Sequence, residues 1–160
     1  SKADVKAWPV LGWLITAAGT LFIERERKRD ALRVVHQSAE ALAAGDTVAF
    51  FPEGTTSDGH QLLPFHANLL QAAVTAGVPV QPLALRFSEP GHPVSPAAAY
   101  IGDTTLLQSL WRIASADAIE VRIGILAPIA SAGLDRRALS LLLRARIAAA
   151  LGIASDTPPA

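Results

Sequence analysis

The 160-residue sequence contains no cysteine. That excludes a disulfide framework, a thiolate metal site and a cysteine nucleophile. It also suits a reducing compartment. Methionine is absent too, even at position 1, so the chain is expected to be a fragment, a processed product or a trimmed piece. Ser1-Lys2-Ala3-Asp4 lacks the basic start and apolar core of a secretory leader, and none is expected here. Aromatic residues are only 6%, so the 51% hydrophobic fraction must build a mainly aliphatic interior. Charged residues, at 18%, fall below the roughly 25% of an average globular protein. Two settings accommodate so little charge: a well-buried α/β domain, or a domain that touches a membrane. A net charge of zero removes the basic excess that a nucleic-acid binder needs. One domain is enough for this length, and there are no internal repeats.

What is present alternates between strand-like and helix-like stretches. Ala7–Ile23 is an uncharged run of 17 residues, broken by Pro9, Gly12 and Gly19. It predicts a short helix from Pro9 to Gly19 and a buried strand, Thr20–Ile23. A core-packed helix is the plain reading, and a membrane-surface helix with Trp8 and Trp13 at headgroup level is the alternative. A charged run, Glu24–Asp30, opens a helix ending at Gly45, with Leu32, Val35, Ala39 and Leu42 as its apolar stripe. Thr47–Phe51 reads as a buried strand. A loop covers Pro52–Gln61. The helix after it has Pro64 near its start, Phe65, Leu69, Ala73 and Val74 inside, and Gly77 at its end.

Val78–Phe87 reads as a second strand, restricted by Pro79 and Pro82. With Thr47–Phe51 it predicts a right-handed parallel βαβ unit. Glu89–Pro96 is expected to be an exposed loop. Ala98–Ile101, a helix around Thr104–Ala114 and a strand Ile119–Ala127 continue the alternation. The last helix runs from an Asp135 cap to Leu151, with Leu139, Leu142, Leu143, Ile147 and Leu151 as its stripe. Residues 154–160 are expected to be a disordered tail. The fold class is α/β, with a central, mostly parallel or mixed sheet flanked by helices.

Phe51-Pro52-Glu53-Gly54-Thr55-Thr56-Ser57-Asp58-Gly59 follows a strand and precedes a helix, where open α/β sheets bind ligands. Gly54 lets the backbone approach a ligand closely. Successive amides in such a turn can cradle an anion. Thr55, Thr56 and Ser57 add hydroxyls, and Glu53 can accept from a substrate hydroxyl or hold a cation. This is no P-loop, because the glycine spacing and the Lys-Ser/Thr are missing. A solvated turn is the plainer alternative for so short a motif. Upstream, Gly19-Thr20-Leu21-Phe22-Ile23-Glu24-Arg25 would deliver Arg25 at a strand end, where a guanidinium can clamp a phosphate. Arg27, Lys28 and Arg29 would add positive potential, or simply be a solvated helix start.

These two stretches, with Val78-Pro79-Val80-Gln81-Pro82, resemble in order and spacing the second to fourth sequence blocks of the 1-acylglycerol-3-phosphate acyltransferases (lysophosphatidate acyltransferases). Ser1–Gly12 is similar to that family's linking helix, and the resemblance spans roughly Ser1 to Phe87. It implies transfer of an acyl group from acyl-CoA or acyl carrier protein to lysophosphatidate, in phospholipid synthesis at the cytoplasmic face of a membrane. It implies no cofactor beyond that thioester co-substrate, with a lysophospholipid as the other partner. Arg25 would contact the phosphate, with Gly19 and Phe22 shaping its pocket. Glu53, Gly54, Thr55, Thr56 and Ser57 would bind the glycerol-phosphate portion.

Two departures bear on this. Thr56 stands where the family commonly has Arg, which would shift phosphate binding onto Arg25. The family's catalytic block is His, four residues, then Asp, in which the histidine deprotonates the acceptor hydroxyl. Here the fifth residue after His36, His60, His66 and His92 is Ala41, Phe65, Gln71 and Ala97. The resemblance therefore implies residues 1–153 of an acyltransferase domain shortened at its amino end, with no catalytic residue in this chain and no activity of its own. His60 and His66 flank the helix after the loop and could reach a ligand, although a surface or capping role is the plainer one. No spacing suggests a metal. Two readings from other classes stay open: a non-catalytic phosphate- or lipid-binding module, and a small α/β hydrolase using Glu53.

Overall fold

A computed structural model describes Trp13 and residues 28–153, with 28–31 described by backbone alone. The helix and strand expected within Pro9–Ile23, the site residues Gly19, Phe22 and Arg25, and the tail 154–160 lie outside the described residues.

Helix α1 spans Lys28–Ala43, and a 3-10 turn at Ala67–Leu69 leads into α2, Leu70–Ala76. Strand β1 (Leu83–Ser88), helix α3 (Leu106–Ala114), strand β2 (Glu120–Ile125) and helix α4 (Arg136–Leu151) follow. Helices α1, α2 and α4 end alike. Gly45, Gly77 and Gly152 take positive φ, and the next amides return to Ala41, Ala73 and Ala148. That closure satisfies carbonyls that the helix leaves unpaired, at a backbone angle glycine adopts without a steric cost. At the other end of α4 the Asp135 carboxylate accepts from the amides of Arg137 at 2.7 Å and Ala138 at 3.0 Å. Thr105 caps α3 in a reciprocal box with Gln108.

The core sits where α2 crosses α4. Leu70 and Leu139 are fully buried, and Leu143 is 4% exposed. Phe50, Phe65, Val74, Val80, Ile129 and Leu134 pack around them. Each buried leucine contributes about 1.5–3 kcal/mol by leaving water. Ser131, also buried, donates to the Ala73 carbonyl at 3.1 Å and fastens the approach to α4 onto α2.

Several expected details differ. Thr47–Phe51 is extended but joins no ladder among the described residues, so its parallel pairing with Val78–Phe87 is not formed there. Phe50 turns into the α2–α4 core while Phe51 is 82% exposed, and the run spends its apolar surface on side-chain packing. Val78–Phe87 shortens to Leu83–Ser88, plus a single bridge between Val80 and Ile129, as the two prolines dictate. Among the described residues the sheet is one antiparallel pair, with Leu83, Leu85 and Phe87 opposite Ile125, Ile123 and Val121. Ala98–Ile101 is turn and coil instead of strand. The stripe of α1 is rotated by about a residue, burying Val34 and Ser38 and leaving Leu32 72% exposed. Leu142 in α4 faces partly outward, and Ser140 is buried in its place. Glu89–Pro96 is a tied turn: Ser95 is 2% exposed and donates its hydroxyl to Glu89 Oε1, which also accepts from the Ala97 amide at 3.1 Å.

Candidate functional site

The stretch Phe51–Gly59 leaves the core at Phe50, and the chain returns to it at Phe65, so partly buried side chains on either side hold the loop. A turn closes at its start, where the Gly54 amide donates to the Phe51 carbonyl at 3.2 Å. Gly54 has φ +68, a conformation that L side chains rarely adopt. A second reason for glycine is spatial. A Cβ at this position would lie 2.8 Å from Cδ2 and 3.1 Å from Nε2 of His66.

Each neighbouring residue is anchored differently. The Glu53 carboxylate accepts from the Leu63 amide at 2.9 Å, which fixes the direction of that side chain across the loop. The His66 amide donates to the Pro52 carbonyl at 2.8 Å. The Thr56 hydroxyl donates to the Tyr100 carbonyl, joining the loop to the segment before α3. Ser57 Oγ accepts from the Gly59 amide at 3.3 Å, and Asp58 accepts from the His60 amide at 3.1 Å. Thr55 is exposed.

Helix α4 holds the far side. Arg144 donates to the Leu62 carbonyl at 2.7 Å and the Leu63 carbonyl at 3.3 Å, and Ser140 donates to the Phe65 carbonyl at 3.4 Å. Arg86, rising from β1, donates to the Leu151 carbonyl at the end of the same helix. A cleft of about 430 Å³ opens beside the end of the loop, with Gly59, His60, Arg86 and Val94 in its wall.

The structure therefore brings Glu53, Gly54, Thr55, Thr56 and Ser57 together on one anchored loop. It places His66 directly against Gly54 and His60 at the rim of the cleft. Residue-by-residue reading missed Arg144, Ser140 and Tyr100. They lie tens of positions away in sequence, and nothing local to the motif points to them. The signal for His66 was Gly54 itself, because a glycine marks close approach by some group. Among the described residues no group of three or more His, Asp or Glu could hold a metal ion.

This arrangement sits in a fold seen before. The 1-acyl-sn-glycerophosphate acyltransferase PlsC of Thermotoga maritima superposes with a TM-score of 0.63 at 20% identity, over 95% of this chain and 54% of that one. The fold class is thus the α/β acyltransferase fold. Residues 1–86 match the family described as Acyltransferase, and the chain belongs to that family. A lyso-ornithine lipid O-acyltransferase of Pseudomonas aeruginosa is 42% identical over 158 residues, 98% of this chain and 60% of that protein. A 1-acyl-sn-glycerol-3-phosphate acyltransferase of Neisseria meningitidis is 40% identical over 123 residues, 77% of this chain and 48% of its own length. The chain spans about half to three fifths of the length of these two curated relatives.

Proposed function

We propose that this chain forms the acceptor-binding part of an enzyme that moves an acyl group from a thioester, acyl-CoA or acyl carrier protein, to the free hydroxyl of a lysolipid. Lysophosphatidate is the acceptor that the loop's residue types suit first. The observation that carries the reading is the Glu53–Ser57 loop. Its backbone is held open at Gly54 by a positive φ, and its carboxylate is oriented by the Leu63 amide.

In the reaction the acceptor oxygen attacks the thioester carbonyl. A C–O bond forms, the C–S bond breaks, and the hydroxyl proton leaves through a base and ends on the departing thiol. Glu53 would accept a hydrogen bond from an acceptor hydroxyl. Thr55 would present donors to the headgroup beside the side-chain-free Gly54, with Thr56 and Ser57 shaping the loop and Arg25 contacting the phosphate in a pocket shaped by Gly19 and Phe22. No His separated from a following Asp by four residues occurs in the 160 residues. The base is therefore assigned to residues outside this chain. No cofactor is invoked.

A peripheral position on the cytoplasmic face of the membrane belongs to the same proposal. It is supported by α3, which presents Leu107, Leu110 and Trp111, 78%, 54% and 74% exposed. Among the described residues no helix is long and apolar enough to cross a membrane.

The relatives' names favour a second acceptor, a lyso-ornithine lipid, because the protein from Pseudomonas aeruginosa matches nearly the whole chain. The deciding experiment offers the chain labelled acyl-CoA or acyl carrier protein with each lysolipid in turn, and measures lysolipid binding in parallel. Saturable binding of one lysolipid without turnover is expected. Turnover well above background would refute the placing of the base elsewhere. Absence of binding to both lysolipids would refute the acceptor-site assignment.

A further inference from the structure

We infer that His66 is a headgroup contact, its imidazole donating a hydrogen bond to an anionic oxygen of the bound lysolipid. This rests on the reading of Glu53–Ser57 as the acceptor loop and adds a residue that lies outside the motif. The placement is specific. The ring occupies the space beside Gly54 that a side chain would fill, with Cδ2 and Nε2 only 2.8 and 3.1 Å from where a Cβ would stand. Its backbone is held by the hydrogen bond from its amide to the Pro52 carbonyl and by the neighbouring Phe65 packed against the core. The backbone of His66 therefore stays beside the loop, and its side chain is exposed to solvent.

Nearby side-chain donors already serve carbonyls of the chain: Arg144 bonds those of Leu62 and Leu63, and the Thr56 hydroxyl bonds that of Tyr100. The imidazole of His66 has no hydrogen-bond partner among the described residues. The two carboxylates of the loop, Glu53 and Asp58, accept from the Leu63 and His60 amides. An incoming oxyanion at Gly54 thus meets the exposed Thr55 and the imidazole. A ring N–H is a suitable donor in either tautomer and a stronger one when protonated. The shared chemistry is an oxyanion, either the phosphate of a lysophosphatidate or the carboxylate of an amino-acid headgroup.

A merely steric ring would give the same packing, so the test separates donor from filler. The 160-residue chain is titrated with glycerol 3-phosphate, with ornithine and with glycerol. His imidazole and loop amide resonances are followed by NMR, and His66 is assigned from the spectrum of His66→Phe. The expected result is a saturable shift of the His66 ring with glycerol 3-phosphate or with ornithine, the responding probe identifying the headgroup class, and none with glycerol. His66→Phe, which keeps a ring against Gly54, should melt as the parent does and bind about tenfold more weakly. His66→Gln, which restores an N–H donor, should recover most of that loss. If the Gly54 and Thr55 amides respond while the His66 ring does not, or if His66→Phe binds as the parent does, the inference is wrong and the acceptor-loop reading stands. If no loop amide responds to either glycerol 3-phosphate or ornithine, both are wrong.

Discussion

Gly54 is where backbone and side-chain demands coincide most sharply. Its φ of +68 costs any other residue about 1–3 kcal/mol, and a methyl group there would also press on the His66 ring. Gly54→Ala should therefore lower the melting temperature by several degrees and displace the His66 resonances, even though the change is the smallest one possible. Glu89 shows the opposite economy, a half-buried carboxylate that matters through its acceptor geometry. The Ser95 hydroxyl, and then the Ala97 amide, hold its pKa below the usual carboxylate value of 4.5. A lowered folded-state pKa means that its contribution is complete above 4.5 and is lost as pH falls through the lower value. Amide exchange at Ala97 should accelerate below pH 4.5 in the parent, beyond the intrinsic pH trend. Glu89→Gln, which still accepts at Oε1 but does not titrate, should remove that acceleration.

At the scale of elements, α3 stands apart. It is capped by Thr105 and Gln108 and exposes Leu107 and Trp111, and its bonds tie it mainly to its own flanks. Thr105→Ala, a loss of about 1 kcal/mol to the helix, should raise hydrogen exchange within Leu106–Ala114 and leave the global melting temperature nearly unchanged. Helices such as this one were readable from sequence because their signals are local. Asp135 caps α4 as its position suggested, and Gly45 and Gly77 stop their helices where expected. Strands depend on partners far away in the chain, and there the reading was weaker. Thr47–Phe51 has a strand's composition, yet Phe50 goes to the core and Phe51 to solvent. The loop was legible as a motif, with its glycine and hydroxyls in a row. Arg144 and Tyr100, which set its shape, were not, because only the folded chain brings positions 62 and 144, or 56 and 100, together.

The whole molecule shows two kinds of apolar surface that composition cannot tell apart. Leu139 is fully buried against Leu70 and Leu143. Leu139→Ala should cost about 2–5 kcal/mol in chemical denaturation, a large share of the stability of a domain this size. Ile123, by contrast, is 61% exposed on the outer face of the β1–β2 pair, beside Leu85 and Phe87. Ile123→Lys should leave the unfolding free energy within about 0.5 kcal/mol of the parent. It should also reduce concentration-dependent light scattering, because it interrupts a continuous apolar face.

Helix α4 gathers the remaining threads. Through Arg144 and Ser140 it grips the return of the loop, through Leu139 and Leu143 it grips α2, and its end receives Arg86 from β1. Such a helix is a thermodynamic messenger as much as a support. Whatever occupies the loop at Gly54 favours the conformation in which α4 is docked, and by reciprocity a docked α4 favours occupancy. A small headgroup analogue bound at Gly54 should therefore slow hydrogen exchange some eighty positions later, between Leu139 and Leu151. The far end of the chain would report on a ligand it never touches.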